Sequence, residues 1–285
     1  MNAILVGHGT MGKRHMDRFA ACGVQFSKII DSPDDCFLNG CNPDFVVIAS
    51  PATTHYDYAK ACLERKIPVF VEKPLAITGE QAEELVRLAS ANDTLLFVAQ
   101  SECFNPIFLN FRTHFVKELK NASSSRCLEV NLEFRREHKF SERCRDVNVA
   151  LDLLVHDVSL FLTMFDYDSV SVAACDLSKD GDRVALSLEA DDQNAKVHAH
   201  FYANRNSSFD MRLLAAKFGN AEYAVSLARH KENGDVEHVP DSLDNEHRFF
   251  LKLLAGACGE WGRRLSTTAA DAVAIVSKCG CLGKE

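Results

Sequence analysis

A basic excess is missing from this chain: 32 Lys and Arg stand against 40 Asp and Glu, a net charge of −8 over 285 residues. Nucleic-acid surfaces need cations to neutralise phosphates, so that class of partner is excluded. Apolar runs near the roughly 20 residues that a membrane-spanning helix requires are also lacking, which argues against a membrane partner. A strand already begins at Ala3, leaving no room for a signal peptide, so the expected location is the cytoplasm. The eleven cysteines show no zinc-like spacing. Their closest pairs, Cys36/Cys41 and Cys279/Cys281, have no complementary second pair, so the expectation is reduced thiols and no metal site. Internal repeats and low-complexity stretches are absent too. What remains is 47% hydrophobic and 25% charged, enough apolar content for real cores, and the length fits two modest domains.

The first hundred residues alternate short apolar runs with amphipathic stretches, the pattern of βαβ units and a parallel sheet. Strands are expected at Ala3–Val6, Lys28–Ile30, Phe45–Ala49, Val69–Val71 and Leu95–Ala99, with helices near Gly12–Ala21, Tyr56–Glu64 and Gly79–Ala91. Thr78 is a natural N-cap for the last of these, with Gln81 as a capping-box partner. The stretch Ser32–Asp44 is too short for a full crossover helix and is read as a turn or a single helical turn. After about residue 100 the texture changes. Helices are expected at Phe104–Lys120 and Asn148–Phe165, then strand-like runs joined by polar turns such as Asp180-Gly181-Asp182 and Glu232-Asn233-Gly234, which favour an antiparallel or mixed sheet. The tail, about Asp244–Ala257 and Thr267–Cys281, returns to helix.

Gly7-His8-Gly9-Thr10-Met11-Gly12 follows the first strand and opens the first helix, the context in which a G-x-G-x-x-G motif signals a dinucleotide cradle. Gly7 permits the tight turn, Gly9 lets a pyrophosphate approach the backbone, and Gly12 lets helix and strand pack closely. The helix N-terminus, at Thr10 and Met11, offers free N–H groups to phosphate. Asp31 ends the second strand, where an acid can accept from the ribose hydroxyls and repel a 2′-phosphate, so NAD is favoured; Lys13 and Arg14 leave NADP open. Ser50 and Pro51 leave the third strand and lead through Thr54 and His55 into a helix, a loop suited to the ribose and phosphates. Helix capping is the competing role for Thr54 and His55. Val69-Phe70-Val71 ends abruptly in Glu72-Lys73-Pro74. Lysine at the carboxyl end of a parallel strand lies where such sheets bind ligands, and it can polarise a substrate oxygen or share its proton. A surface lysine that merely follows a strand is the alternative.

These segments, together with Val46–Pro51 and Phe104-Asn105-Pro106, closely resemble the Gfo/Idh/MocA oxidoreductases over residues 1–110. The resemblance continues at Asp152-Leu153-Leu154-Val155-His156-Asp157, where family members carry an Asp-x-x-x-His pair beside the nicotinamide. The i,i+4 spacing independently sets Asp152 and His156 on one helical face. The resemblance implies an α/β chain: an N-terminal Rossmann domain with a parallel sheet (1–102), then an α+β domain with a large open, mostly antiparallel sheet (103–285). That second sheet often joins subunits in the family, implying a homo-oligomer, dimer or tetramer. The implied reaction is NAD(P)-dependent oxidation of a secondary alcohol on a sugar, nucleotide sugar or cyclitol. His156 would take the hydroxyl proton while hydride passes to the cofactor, Lys73 would polarise the oxygen, and Asp152 would orient His156; family members differ over which of Lys and His moves the proton. Glu72 and Gln100, at the ends of the fourth and fifth strands, join the implied cofactor contacts, and Asn105 the implied substrate contacts. The chain departs from the family in its short length, its abbreviated Ser32–Asp44 crossover, and Ser159 where another aspartate is common.

Arg136, and Arg143 and Arg145 in the loop that follows, offer cations for an anionic substrate. A solvated charged loop, with Glu137, Glu142 and Asp146 as local partners, is the competing reading. Two other functions remain open from sequence: a hydrolase of the NAD-dependent glycosidase kind, and a non-catalytic dinucleotide sensor.

Overall fold

The computed structural model describes residues 1–32, 36–123, 127–140, 146–192, 195–228, 241–257 and 259–280. The chain divides into two compact units, Met1–Ser101 with Asp241–Ala274, and Glu102–Pro240 with Ile275–Glu285. The division near residue 101 falls where the sequence changes texture. The C-terminal helices do not follow the expected plan: most of the segment read as the end of the second domain groups with the first unit.

In the first unit the strands are β1 (Asn2–Val6), β2 (Gln25–Ile30), β3 (Phe45–Ile48), β4 (Val69–Glu72) and β5 (Leu96–Ala99). They lie in the order β2-β1-β3-β4-β5, and every neighbouring pair is parallel. The helices are α1 (Thr10–Ala21), α2 (His55–Glu64) and α3 (Gly79–Ala91). Residues 36–40 of the abbreviated crossover form turns. The Thr78 cap forms: its hydroxyl accepts from the Gln81 amide at 3.3 Å. Strands β1, β3, β4 and β5 are buried along nearly their whole length, as a parallel sheet covered on both faces requires. Near the C-terminus, α6 (Ser242–Leu254) returns to this core. Its Phe250 ring meets Phe45, Phe70 and Phe97 at centroid distances of 5.0, 5.3 and 5.4 Å.

The second unit holds α4 (Pro106–Ala122), β6 (Leu128–Lys139), a π-helical turn at Ala150–Leu154, α5 (Val155–Met164), β7 (Ser169–Leu177), β8 (Arg183–Asp192), β9 (Ala195–Ser207), β10 (Met211–Phe218) and β11 (Ala221–Ser226). The remaining long helix, α7 (Gly259–Ser277), belongs to the first unit as far as Ala274, and only its last residues group with the second. The six strands are ordered β11-β10-β6-β9-β8-β7, antiparallel except for the parallel β6/β9 pair, which makes the sheet mixed. Strict alternation along β6, with Leu128, Val130, Leu132 and Phe134 buried and Glu129, Asn131 and Glu133 exposed, gives one apolar and one polar face. The helix expected over Asn148–Phe165 is interrupted: its first part is the π turn. Cys175 on β7 is joined to Cys279 by a disulfide with Cα atoms 5.5 Å apart, which corrects the expectation of reduced thiols throughout. Cys22, Cys36, Cys41, Cys62, Cys103 and Cys127 form no disulfide. Among the described residues no helix is long and apolar enough to cross a membrane.

Candidate active site

The parallel register aligns the carboxyl ends of all five strands of the first unit, with Val6 opposite both Ile30 and Ile48, Ile48 opposite Val71, and Glu72 opposite Ala99. The residues that follow are therefore brought to one edge: Gly7, Asp31, Ser50, Lys73 and Gln100. Ligands of open parallel sheets bind at that edge.

The glycine turn has the shape of a phosphate cradle. Gly7 adopts φ +92°, and a Cβ there would lie 2.4 Å from the Ser50 amide nitrogen. A Cβ on Gly12 would lie 1.9 Å from the Gly7 carbonyl oxygen. At Gly9, by contrast, a Cβ would meet nothing within 4 Å. Gly9 is the N-cap of α1 and gives it no side-chain cap, so the helix N-terminus with Thr10 and Met11 faces an open cradle. The Asp31 carboxylate accepts from the His8 amide at 3.0 Å, which pins it beside this turn. The open space and the uncapped helix start suit a dinucleotide pyrophosphate, and the neighbouring acid suits a ribose.

Ser50 and Thr54 are linked at 2.7 Å, and the Thr54 hydroxyl donates to the Pro51 carbonyl at 2.8 Å, so Ser50 is the donor to Thr54. Two residues expected to touch the cofactor are turned inward instead. His55 is buried, with Nδ1 at 2.7 Å from the Pro74 carbonyl and Nε2 at 2.9 Å from the Ser50 carbonyl. Both carbonyls only accept, so a His55 ring nitrogen that carries a proton donates to the carbonyl it faces. Its imidazole ties the loop after β3 to the loop after β4. Glu72 points its carboxylate at His15 Nε2, 2.7 Å away, and accepts from the Lys73 amide at 3.0 Å. Gln100 is buried at the end of β5, while Lys73 is partly exposed after β4.

In the second unit Asp152 sits on the π turn, 3.6 Å from Arg205 Nη1, and His156 is the second residue of α5, partly buried. The π turn alters the simple i,i+4 face on which the two were expected to meet; such turns recur at functional sites. Arg205 is held in turn by Asp182 at 2.8 Å and by the Val147 carbonyl at 2.8 Å. Ser159 is fully buried and donates to the Val155 carbonyl of its own helix at 2.7 Å.

The expected substrate contacts fare differently. Arg136 is buried and its guanidinium is taken up: Nε and Nη2 hold Asp157 at 3.1 and 2.6 Å, and Nη1 holds Glu102 at 3.1 Å. Its fork is engaged inside the second unit, which removes it as an anion contact. Asn105 is likewise occupied: it caps α4 by accepting from the Ile107 amide, and its Nδ2 donates to the Leu227 carbonyl at 3.1 Å. Arg143 and Arg145 lie outside the described residues.

Residues 18–100 match the model of an oxidoreductase family described as having an NAD-binding Rossmann fold. Over that stretch the chain is similar to the Gfo/Idh/MocA oxidoreductases. It is 23% identical over 223 residues to UDP-N-acetylglucosamine 3-dehydrogenase of Acidithiobacillus ferrooxidans, covering 72% of this chain and 67% of that protein. It is 30% identical over 132 residues to inositol 2-dehydrogenase of Acidothermus cellulolyticus, covering 46% of this chain and 37% of that protein. An inositol dehydrogenase homolog from Azotobacter vinelandii, solved with NADH and myo-inositol, shares the fold with a TM-score of 0.71 at 15% identity, over 99% of this chain and 96% of that one. Of the five strand-end residues, Asp31, Ser50, Lys73 and Gln100 lie within the stretch that matches the NAD-binding family. Missing from the sequence reading were His15, His247, Glu102, Asp157, Asp182 and Arg205. For His15 a signal existed: Gly12, His15 and Phe19 are spaced as one buried stripe of α1.

Proposed function

We propose that this chain transfers a hydride between NAD and a secondary alcohol of a carbohydrate-like substrate, a nucleotide sugar or a cyclitol. The observation that carries this reading is the shared edge at which the glycine cradle, Asp31, Ser50 and Lys73 end their strands. When bound, the nicotinamide supplies the hydride acceptor. The pyrophosphate would lie at Gly9 and the N-terminus of α1, and the adenosine ribose at Asp31. Lys73 donates a hydrogen bond to the substrate oxygen and stabilises its developing charge. His156 takes the hydroxyl proton, and Asp152, braced by Arg205, supports it from the preceding turn. The relatives named UDP-N-acetylglucosamine 3-dehydrogenase and inositol 2-dehydrogenase support these substrate classes.

Purified protein incubated with NAD and a panel of sugars, nucleotide sugars and cyclitols should reduce NAD with at least one. Lys73→Ala should then lower kcat by about 10²–10³-fold, as loss of an oxyanion donor does, and His156→Ala by about 10²–10⁴-fold, as loss of a general base does. Unchanged turnover in both variants would end the catalytic assignment. The cofactor choice tests Asp31 separately. Asp31→Ser removes the carboxylate that repels a 2′-phosphate, so kcat/KM for NADP relative to NAD should rise by about tenfold or more. A ratio that stays put would remove Asp31 from the ribose site.

A further inference from the structure

Beneath the Lys73 loop, wholly inside the first unit, lies a buried row of polar groups. Leu243 on α6 accepts through its carbonyl from His247 Nδ1 at 2.5 Å. His247 Nε2 lies 2.9 Å from His15 Nδ1, and His15 Nε2 lies 2.7 Å from Glu72 Oε1. His15 is 0% exposed and His247 1%. Glu72 Oε2 closes the row by accepting from the Lys73 amide at 3.0 Å.

Protons can be counted along it. The three bonds from the Leu243 carbonyl to the Glu72 carboxylate need three protons between them, and two neutral imidazoles supply two. The row therefore carries one further proton. Burial, then the neighbouring His15, holds His247 down to about 3, so His247 is the neutral ring and the extra proton lies between His15 and Glu72. Burial pushes Glu72 up, but the hydrogen bond and charge of His15, followed by Lys73 and His55, more than offset it, and the group stays below the usual carboxylate value. The second acid beside it behaves oppositely. Glu246, fully buried on α6, is driven well above the usual range by burial and then by the Glu72 charge, a hydrogen bond from the Gln100 backbone opposing this only in part. Glu72 is thus the ionised acid of the cluster, faced by His15 from α1, His55 from α2, His247 and neutral Glu246 from α6, and its neighbour Lys73; Arg18 lies near His247.

We propose that His15 is a positioning residue for Lys73: the extra proton it shares keeps Glu72 a carboxylate, and that carboxylate fixes the Lys73 backbone amide. The inference rests on the reading of Lys73 as the substrate-polarising group. His15 acts through Glu72 and touches neither substrate nor cofactor.

Two variants separate charge from packing. His15→Ala leaves Glu72 buried without its counter-charge; His15→Gln restores a hydrogen-bond donor but no charge. At pH 7–8 kcat of His15→Ala should fall about tenfold or more while KM for NAD changes less than about threefold, and His15→Gln should recover part of kcat. The pH dependence of thermal stability is read without any cofactor. In the wild type the Glu72 value is lowered, so its contribution is present above the unfolded carboxylate value and lost as pH falls through the folded one. Without His15, burial dominates and Glu72 rises above its unfolded value, so the variant loses stability as pH climbs past about 4.3. The gap in Tm between wild type and His15→Ala should therefore widen from about pH 4 to about pH 6, less so for His15→Gln. A gap constant across that window, or wild-type kcat in His15→Ala, would overturn the proposal. On wild-type protein, ¹⁵N-histidine NMR at neutral pH should find three ring N–H protons on the His15/His247 pair; two would overturn it as well. If Lys73→Ala keeps full turnover while the widening gap is present, the reading of Lys73 fails and the row stands; a constant gap with inactive Lys73→Ala gives the reverse.

Discussion

Replacing Arg136 by alanine should destabilise the chain by about 3–5 kcal/mol, because two buried carboxylates lose the cation between them. Arg136 holds Asp157 through Nε and Nη2 and Glu102 through Nη1, and its side chain is only 5% exposed. Arg212 also reaches Glu102, at 2.8 Å, but nearly half its side chain is exposed. In a chain of this size each kcal/mol moves Tm by about 2–4 °C, so a drop of roughly 6–20 °C is expected. Arg135→Ala is the internal comparison. Its side chain is 41% exposed; the buried Glu137 it holds at 2.6 Å also accepts from the Ser207 hydroxyl at 2.9 Å, so the loss should be smaller, about 1–2 kcal/mol. Equal losses in the two variants, followed by calorimetric or fluorescence melting, would show that the inner network does not hold the second unit together.

The glycine turn supports an equally large effect, on binding. Gly9→Ala should leave the fold within about 1 kcal/mol of wild type, since Gly9 has φ −73° and its added Cβ meets nothing within 4 Å. The same methyl group stands where a pyrophosphate would approach, so Kd for NAD should rise about tenfold or more, roughly 1.4 kcal/mol. Gly12→Ala should lose both properties. Its Cβ would sit 1.9 Å from the Gly7 carbonyl oxygen, a backbone atom that cannot swing away, and overpacking of this kind costs about 1–3 kcal/mol or more. Titration calorimetry with NAD alongside thermal melts separates the cases. Wild-type affinity in Gly9→Ala would place the phosphates elsewhere.

The sequence carried the first sheet well because buried parallel strands are short, uninterrupted apolar runs; four of the five lie within a residue or two of where the pattern puts them. Strand β2 is the exception, starting at Gln25 rather than Lys28. It is an edge strand with alternating burial, so Gln25-Phe26-Ser27 reads as polar as a turn. The π turn left no trace at all: Val149 through Val155 are buried, and a run that is apolar but for Asp152 has no period to betray a wider helical turn. At the candidate site, residues presented at strand ends were legible from type and spacing. Residues that hold them in place were not. His15 and His247 meet across 232 positions, and Arg136 and Asp157 across 21, and neither pairing is encoded by any local pattern. The charge of Arg136 and Glu72 suggested ligands; burial turned both toward partners within their own unit.

The return of α6 to the first unit has a consequence for biosynthesis. Phe250 contributes a ring to a cluster with Phe19, Phe45, Phe70 and Phe97, and His247 closes the buried row beside them. When residues 1–101 have left the ribosome, that core still lacks one wall, and it stays open until the chain has been translated past residue 254. The first unit to be made is therefore among the last to finish folding, and a fragment ending at Ser101 is an apolar surface in search of cover.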